Sequence, residues 1–146
     1  VCLGQKKRGF AKGKWNGAGG KFSEGETPER ATIREVEEEF SVRIREENLR
    51  KVGVIEFYFR EHPELDQRVH IFVTRAWDGE PTESEEMIPK WFPITEHDIP
   101  FSEMWLDDSY WLIHALSTKD TVKGFFRFSG KDDSEKIEDW SLQWSS

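Results

Sequence analysis

The chain has 146 residues, enough for one domain with a real core, and 18 of them are Trp or Phe (seven and eleven). That aromatic content excludes a disordered chain, and the net charge of −8 argues against a general nucleic-acid binder, which needs a basic footprint. The single cysteine, Cys2, excludes a disulfide framework or a cysteine metal site, and no stretch reads as a membrane span or a signal peptide. These absences set the expectation of a cytoplasmic protein that engages neither nucleic-acid polymer nor membrane.

In chain order, Val1 to Gln5 reads as a short strand and Gly9 to Gly20 as a Gly- and Lys-rich structured loop. Lys21 and Phe22 are read as a brief strand before a Ser23-Glu24-Gly25 turn. Thr27 followed by Pro28 opens a helix, a capping hydroxyl and then proline in the first turn; the spacing of Ile33, Val36 and Phe40 carries it over 28–40. Alternation predicts a strand over Val52 to Arg60 and a second over Arg68 to Trp77, joined as a hairpin through His62-Pro63-Glu64. A short strand is expected at Lys90 to Pro93, a second helix at Asp108 to Ser117, and late strands at Val122 to Phe128 and Trp140 to Trp144. Strands mixed with two helices predict an α+β or α/β sandwich.

Charge is divided along the chain. Residues 1–21 carry Lys6, Lys7, Arg8, Lys12, Lys14 and Lys21 and no acid, and the following helix is dominated by Glu. A basic segment running into an acidic one suits a polyphosphate with a divalent cation, although solvated loop charge would give the same pattern. Within the helix, Glu35, Glu38 and Glu39 stand at i, i+3 and i+4 and share one side, expected opposite Ile33, Val36 and Phe40. Clustered carboxylates repel one another unless a cation sits among them. A hard cation with oxygen ligands is the natural partner, a solvated acidic face the plain alternative. Arg34 is placed to hold a neighbouring carboxylate.

From Gly20, five residues precede Glu26, seven more precede Arg34, and Glu35, Val36, Glu38, Glu39 and Val42 follow at fixed spacing. Over 23 residues this resembles the signature of the Nudix hydrolase family, with Ser41 where the family has a helix-ending Gly. The resemblance implies an α+β Nudix fold, an α/β/α sandwich with a mixed central sheet and helices on both faces. It further implies a single domain over 1–146, whose opening strand would lie upstream of Val1. It implies Mg²⁺ (or Mn²⁺) held by Glu35, Glu38 and Glu39, with Glu86 and the Gly19 carbonyl as further ligands. Glu39 would be the base for the attacking water, Arg34 a supporting residue of the catalytic helix, and Glu26 structural.

Further runs, Lys6-Lys7-Arg8-Gly9-Phe10, Trp15-Asn16-Gly17, Pro63-Glu64-Leu65, Glu86-Met87 and Trp105 with Asp107-Asp108-Ser109-Tyr110-Trp111, are similar to the animal MutT-related branch of the family. That branch hydrolyses 8-oxo-dGTP and 2-hydroxy-dATP to monophosphate and pyrophosphate. By resemblance Asn16, Asp107 and Asp108 read the base edge. One carboxyl of the adjacent pair would hold a raised pKa, so that the two can trade a proton. Trp105 stacks on the purine, Phe57, Phe59, Met87 and Phe128 wall it, and Lys6 meets substrate at the pocket edge. Read without the resemblance, the Asp pair is a helix N-cap, the aromatics are core, and Glu86 is a loop acid. Leu106 stands where that branch has Pro, and Val54 where it has a polar residue. The expectation is a monomer acting on a small nucleotide. The alternatives are a Nudix enzyme for dNTPs, methylated purines or dinucleoside polyphosphates, or a binding module without catalysis.

Overall fold

A computed structural model describes residues 1–20 and 22–146. Along the chain lie β1 (Cys2–Lys6), β2 (Trp15–Asn16), α1 (Pro28–Phe40), β3 (Arg50–Phe59), β4 (Gln67–Val73), β5 (Met87–Trp91), α2 (Asp108–Ser117), β6 (Thr121–Ser129) and β7 (Lys136–Ser145). They fall into two compact units: Val1–Arg50 with Thr74–Met104, and Lys51–Val73 with Trp105–Ser146. No helix among the described residues is long and apolar enough to cross a membrane.

The first unit is built on a three-stranded antiparallel sheet ordered β2-β1-β5, with Gly4 facing Asn16 on one side and Pro89 on the other. Helix α1 starts where Thr27 caps it, its hydroxyl accepting the Arg30 N–H at 3.2 Å, with Pro28 in the first turn. It ends at Ser41, whose left-handed backbone (φ 61°) lets its N–H close on the Glu37 carbonyl at 3.0 Å. Serine thus takes the conformation that favours Gly at a helix end. Phe40, Val42 and Met87 form a buried cluster, with Cys2, Ala18 and Val36 packed against it.

The second unit holds a mixed four-stranded sheet ordered β4-β3-β6-β7. Strands β3 and β6 run parallel, with Gly53 opposite Val122, Phe57 opposite Phe126 and Phe59 opposite Phe128. Strand β7 is antiparallel to β6, with an irregularity between Arg127 and Phe128. Val52, Ile55, Phe126 and Phe128 are fully buried, and the Phe57 ring stacks on those of Phe126 and Phe128 at 6.0 Å each.

Several local expectations need correcting. The 9–20 loop contains the strand β2, too short to show a periodicity. Phe22 is not in a strand, and Lys21 lies outside the described residues. Strand β4 stops at Val73, because the Thr74 hydroxyl turns the chain by bonding to Ala76 and the Asp78 backbone then pairs with Arg43. Strand β5 begins three residues earlier than expected and β7 spans ten residues.

Candidate active site

In the first unit, the loop before α1 and the helix itself bring carboxylates together. Glu39, expected on an exposed acidic face, is 5% exposed, and its Oε1 accepts the Gly19 N–H at 3.0 Å. Glu39 also shares a hydrogen bond with Glu35. Burial pushes the Glu39 carboxyl up to about 7, the charges of Glu35 and Glu86 adding to the effect and the Gly19 N–H opposing it. A Cβ at Gly20 would fall 2.4 Å from the Glu35 carboxyl carbon. With glycine there the loop backbone lies against that carboxylate as it stands; a larger residue would require the Glu35 carboxyl to shift.

Arg34 organises the rest. Its guanidinium grips Glu26 through two bonds, Nε to Oε2 at 2.7 Å and NH2 to Oε1 at 2.9 Å, and reaches Glu35 at 2.8 Å and Glu38 at 3.3 Å. The grip of Arg34 holds the Glu26 carboxyl down at about 2, helped by the Ser23 N–H. Glu38 is turned outward on the solvent side of this network. Glu86 is engaged by the Arg8 guanidinium. Lys7 closes the same face by bonding Glu83 at 2.6 Å. The Lys6 ammonium is turned to the Phe10 carbonyl at 2.5 Å. Asn16 sits half-buried on β2, and Met87 packs into the Phe40 and Val42 cluster.

The donor set is a test for a divalent cation. Among the described residues no three acidic, His or Cys side chains gather around one point. A pair does, Glu35 with Glu39, beside a loop backbone that glycine keeps close. That fits an ion which takes one or two protein carboxylates and completes its shell with water and phosphate oxygens, and it does not suit a cage made wholly of protein.

In the second unit, the rings of Phe59, Trp105 and Phe128 meet: Trp105 stands edge-on to Phe59 at 5.7 Å and tilted on Phe128 at 5.4 Å, and Phe59 and Phe128 are 5.4 Å apart. Asp107 and Asp108 are both buried. Asp107 occupies the cap position of α2 with helical backbone angles and no capping bond. Its Oδ2 instead accepts the Trp111 indole N–H at 2.8 Å, which overturns the capping alternative for this residue. Burial pushes the Asp107 carboxyl up to about 6, against the lowering effect of the Trp111 bond. Trp111 is a partner that the sequence reading passed over, although its i+4 spacing from Asp107 on a helix was available as a signal.

A Gly-led loop running into a helix of paired glutamates, on a mixed α+β fold, defines a Nudix protein. Residues 1–115 match the NUDIX domain, and the chain belongs to the Nudix hydrolase family, whose members generally use divalent metal ions. Over 132 residues it is 48% identical to the oxidized purine nucleoside triphosphate hydrolase of Danio rerio and equally to that of Mus musculus, covering 90% of this chain and 81% of each relative. The fold is also that of the crystal structure of a mutator MutT protein from Bacillus halodurans (TM-score 0.77, 23% identity, 97% of this chain and 88% of that one).

Proposed function

We propose that the chain hydrolyses oxidised purine nucleoside triphosphates, 8-oxo-dGTP and 2-hydroxy-dATP, to the monophosphate and pyrophosphate. The observation that carries this is the coupling of intact box glutamates, Glu35 paired with Glu39 at Gly19 and Gly20, to 48% identity with hydrolases named for that substrate class.

In this reading Glu35 and Glu39 would hold Mg²⁺, for which Mn²⁺ can substitute, and Glu38, Glu86 and the Gly19 backbone would be further contributors, Glu38 by swinging in from solvent and Glu86 by leaving Arg8. When bound, the cation draws charge from phosphate oxygens and makes a neighbouring water easier to deprotonate. Glu39, held in orientation by the Gly19 N–H, takes the proton of the attacking water. A P–O bond forms to that water, and the bridging P–O bond breaks to separate monophosphate from pyrophosphate. Arg34 fixes the rotamers of Glu35 and Glu38 and ties the helix to its loop through Glu26. Asn16, Asp107 and Asp108 read the base edge. Trp105 and Phe57, both half-buried, would offer the flat apolar surface a purine needs, supported by the buried rings of Phe59 and Phe128, and Met87 and Lys6 are further candidate substrate residues. The reading further takes residues 1–146 as one domain, working as a cytoplasmic monomer on a free nucleotide.

A kinetic panel tests it. A kcat/KM for 8-oxo-dGTP at least tenfold above that for dGTP is expected; equal values would move the substrate to ordinary or methylated nucleotides or dinucleoside polyphosphates. Glu39→Gln is expected to lower metal-dependent kcat by at least a hundredfold with circular dichroism unchanged. Full activity in that variant removes Glu39 from its role.

A further inference from the structure

We propose that Asp133 is a positioning residue for the purine: it fastens the ends of β3 and β6 so that Phe59 and Phe128 meet Trp105 in a fixed arrangement. The inference rests on the substrate reading above for the identity of the base and on geometry for the rest.

Asp133 has no exposed surface, although it sits in a turn rich in charged residues. Buried carboxylates persist only where hydrogen bonds satisfy them. Asp133 takes the backbone N–H of Glu61 on both oxygens, at 2.9 and 3.1 Å, and bonds His62 Nδ1 at 3.0 Å. Those partners lie just beyond the end of β3, and Asp133 itself lies just beyond the end of β6. The turn bends sharply to deliver it: Gly130, Asp132 and Asp133 all have left-handed backbones, with φ of 89°, 54° and 55°. Two consecutive non-glycine residues in that region persist only where surrounding contacts over-determine them, and the buried carboxylate supplies such contacts.

The clamp closes on residues that carry the ring cluster. Phe59 and Phe128 are register partners in the parallel pair β3 and β6. The Phe59 N–H is held by Asp66 Oδ1 at 2.8 Å, the Arg60 N–H by the Phe128 carbonyl at 3.1 Å, and the next two residues by Asp133. From Phe59 to Glu61 every backbone N–H is therefore held and His62 is held through its ring, and the Phe59 and Phe128 rings cannot part at the strand ends without breaking that chain of bonds. A parallel pair lacks a hairpin turn to fix its register, so a side-chain clasp at its end has work that no local turn can perform.

The test uses the full chain. Asp133→Ala removes the acceptor, and Asp133→Asn keeps an oxygen for the Glu61 N–H. Steady-state kinetics with 8-oxo-dGTP and calorimetric affinity for 8-oxo-dGMP are read together. Asp133→Ala is expected to raise KM and weaken product binding at least tenfold with kcat within threefold, and Asp133→Asn to return both to within threefold of wild type. Unchanged KM and product affinity in Asp133→Ala overturn the proposal, as does a loss confined to kcat. Where Asp133→Ala does not fold, His62→Ala leaves the Glu61 bonds in place and gives the same reading: two- to fivefold weaker product binding supports the clamp, and unchanged binding overturns it. A wild type that binds no oxidised purine refutes the substrate reading alone. Near-ultraviolet circular dichroism then decides the clamp without ligand. Loss in the Asp133 or His62 variant of the aromatic band that Trp105→Phe removes supports it, and retention of the full band overturns it.

Discussion

Asp107→Asn tests how burial raises the proton affinity of a carboxyl in this fold. The carboxyl is 3% exposed and its burial lifts it from the ordinary 3.8 to about 6. An aspartate raised in this way keeps its proton in the native state where the unfolded chain has already lost it. Stability therefore falls as pH rises from about 4 to about 6, and the full penalty remains above that. A gap of this size corresponds to about 3 kcal/mol as an upper bound, at roughly 1.4 kcal/mol per pKa unit. Asparagine has the same shape, carries no charge, and its carbonyl oxygen can accept the Trp111 N–H that Asp107 accepts now. The variant is expected to be more stable than wild type by up to about 3 kcal/mol at pH 7.5, with the difference vanishing near pH 4. Urea denaturation midpoints at half-unit pH intervals measure it. A wild type as stable as the variant at pH 7.5, or a difference that does not change with pH, refutes the argument that burial of Asp107 is compensated only in part.

Two backbone predictions follow from the same physics. Ser41→Gly relieves a left-handed serine at the end of α1, worth roughly 1–2 kcal/mol, against roughly 0.5–1 kcal/mol of added chain entropy. A net gain of about 0.5–1 kcal/mol in urea denaturation is expected, and a loss would show that the Ser41 side chain has a role of its own. Gly53→Ala places a Cβ 1.9 Å from the Val122 carbonyl oxygen in the parallel pair, so β3 and β6 must separate there. A loss of several kcal/mol or failure to fold is expected, and a melting temperature within a few degrees of wild type would refute the pairing.

What the sequence makes legible is local. Thr27-Pro28 and the 3.6-residue spacing of Ile33, Val36 and Phe40 place α1 over the same residues the structure does, and Asp108 to Ser117 is likewise a helix. The fixed spacing from Gly20 to Glu39 includes Glu35 and Glu39, which pair beside the Gly19–Gly20 loop, and Glu38, which faces solvent. The same helical projection fails on Glu39, since polarity alone sends every glutamate outward; its hydrogen-bond partner is the Gly19 amide, twenty residues away. Asp133 is invisible for a similar reason. A Lys131-Asp132-Asp133 run reads as a solvated turn, and only pairing across more than seventy residues turns one of those aspartates inward. The ring cluster shares this character: alternation marks Phe57 and Phe59 as one face of a strand, and the parallel register that sets Phe59 against Phe128 is not a local property.

Glu39 ties these threads together. Arg34 answers Glu26, Glu35 and Glu38, while Glu39 receives a backbone N–H and faces the charges of Glu35 and Glu86. A buried carboxylate with like-charged neighbours destabilises the fold that holds it, and a bound divalent cation would reverse the sign of that local interaction. A divalent cation bound at Glu39 should therefore stabilise the native state. At a free Mg²⁺ concentration ten times its dissociation constant, binding to the native state contributes about 1.4 kcal/mol, or roughly 3–5 °C in Tm for a chain of this size. Differential scanning fluorimetry with and without a chelator reads this in the absence of nucleotide. Glu39→Gln is expected to melt higher than wild type in chelator and to lose most of the Mg²⁺-dependent rise. If the variant keeps the whole rise, the cation binds elsewhere and the strain at Glu39 has another purpose.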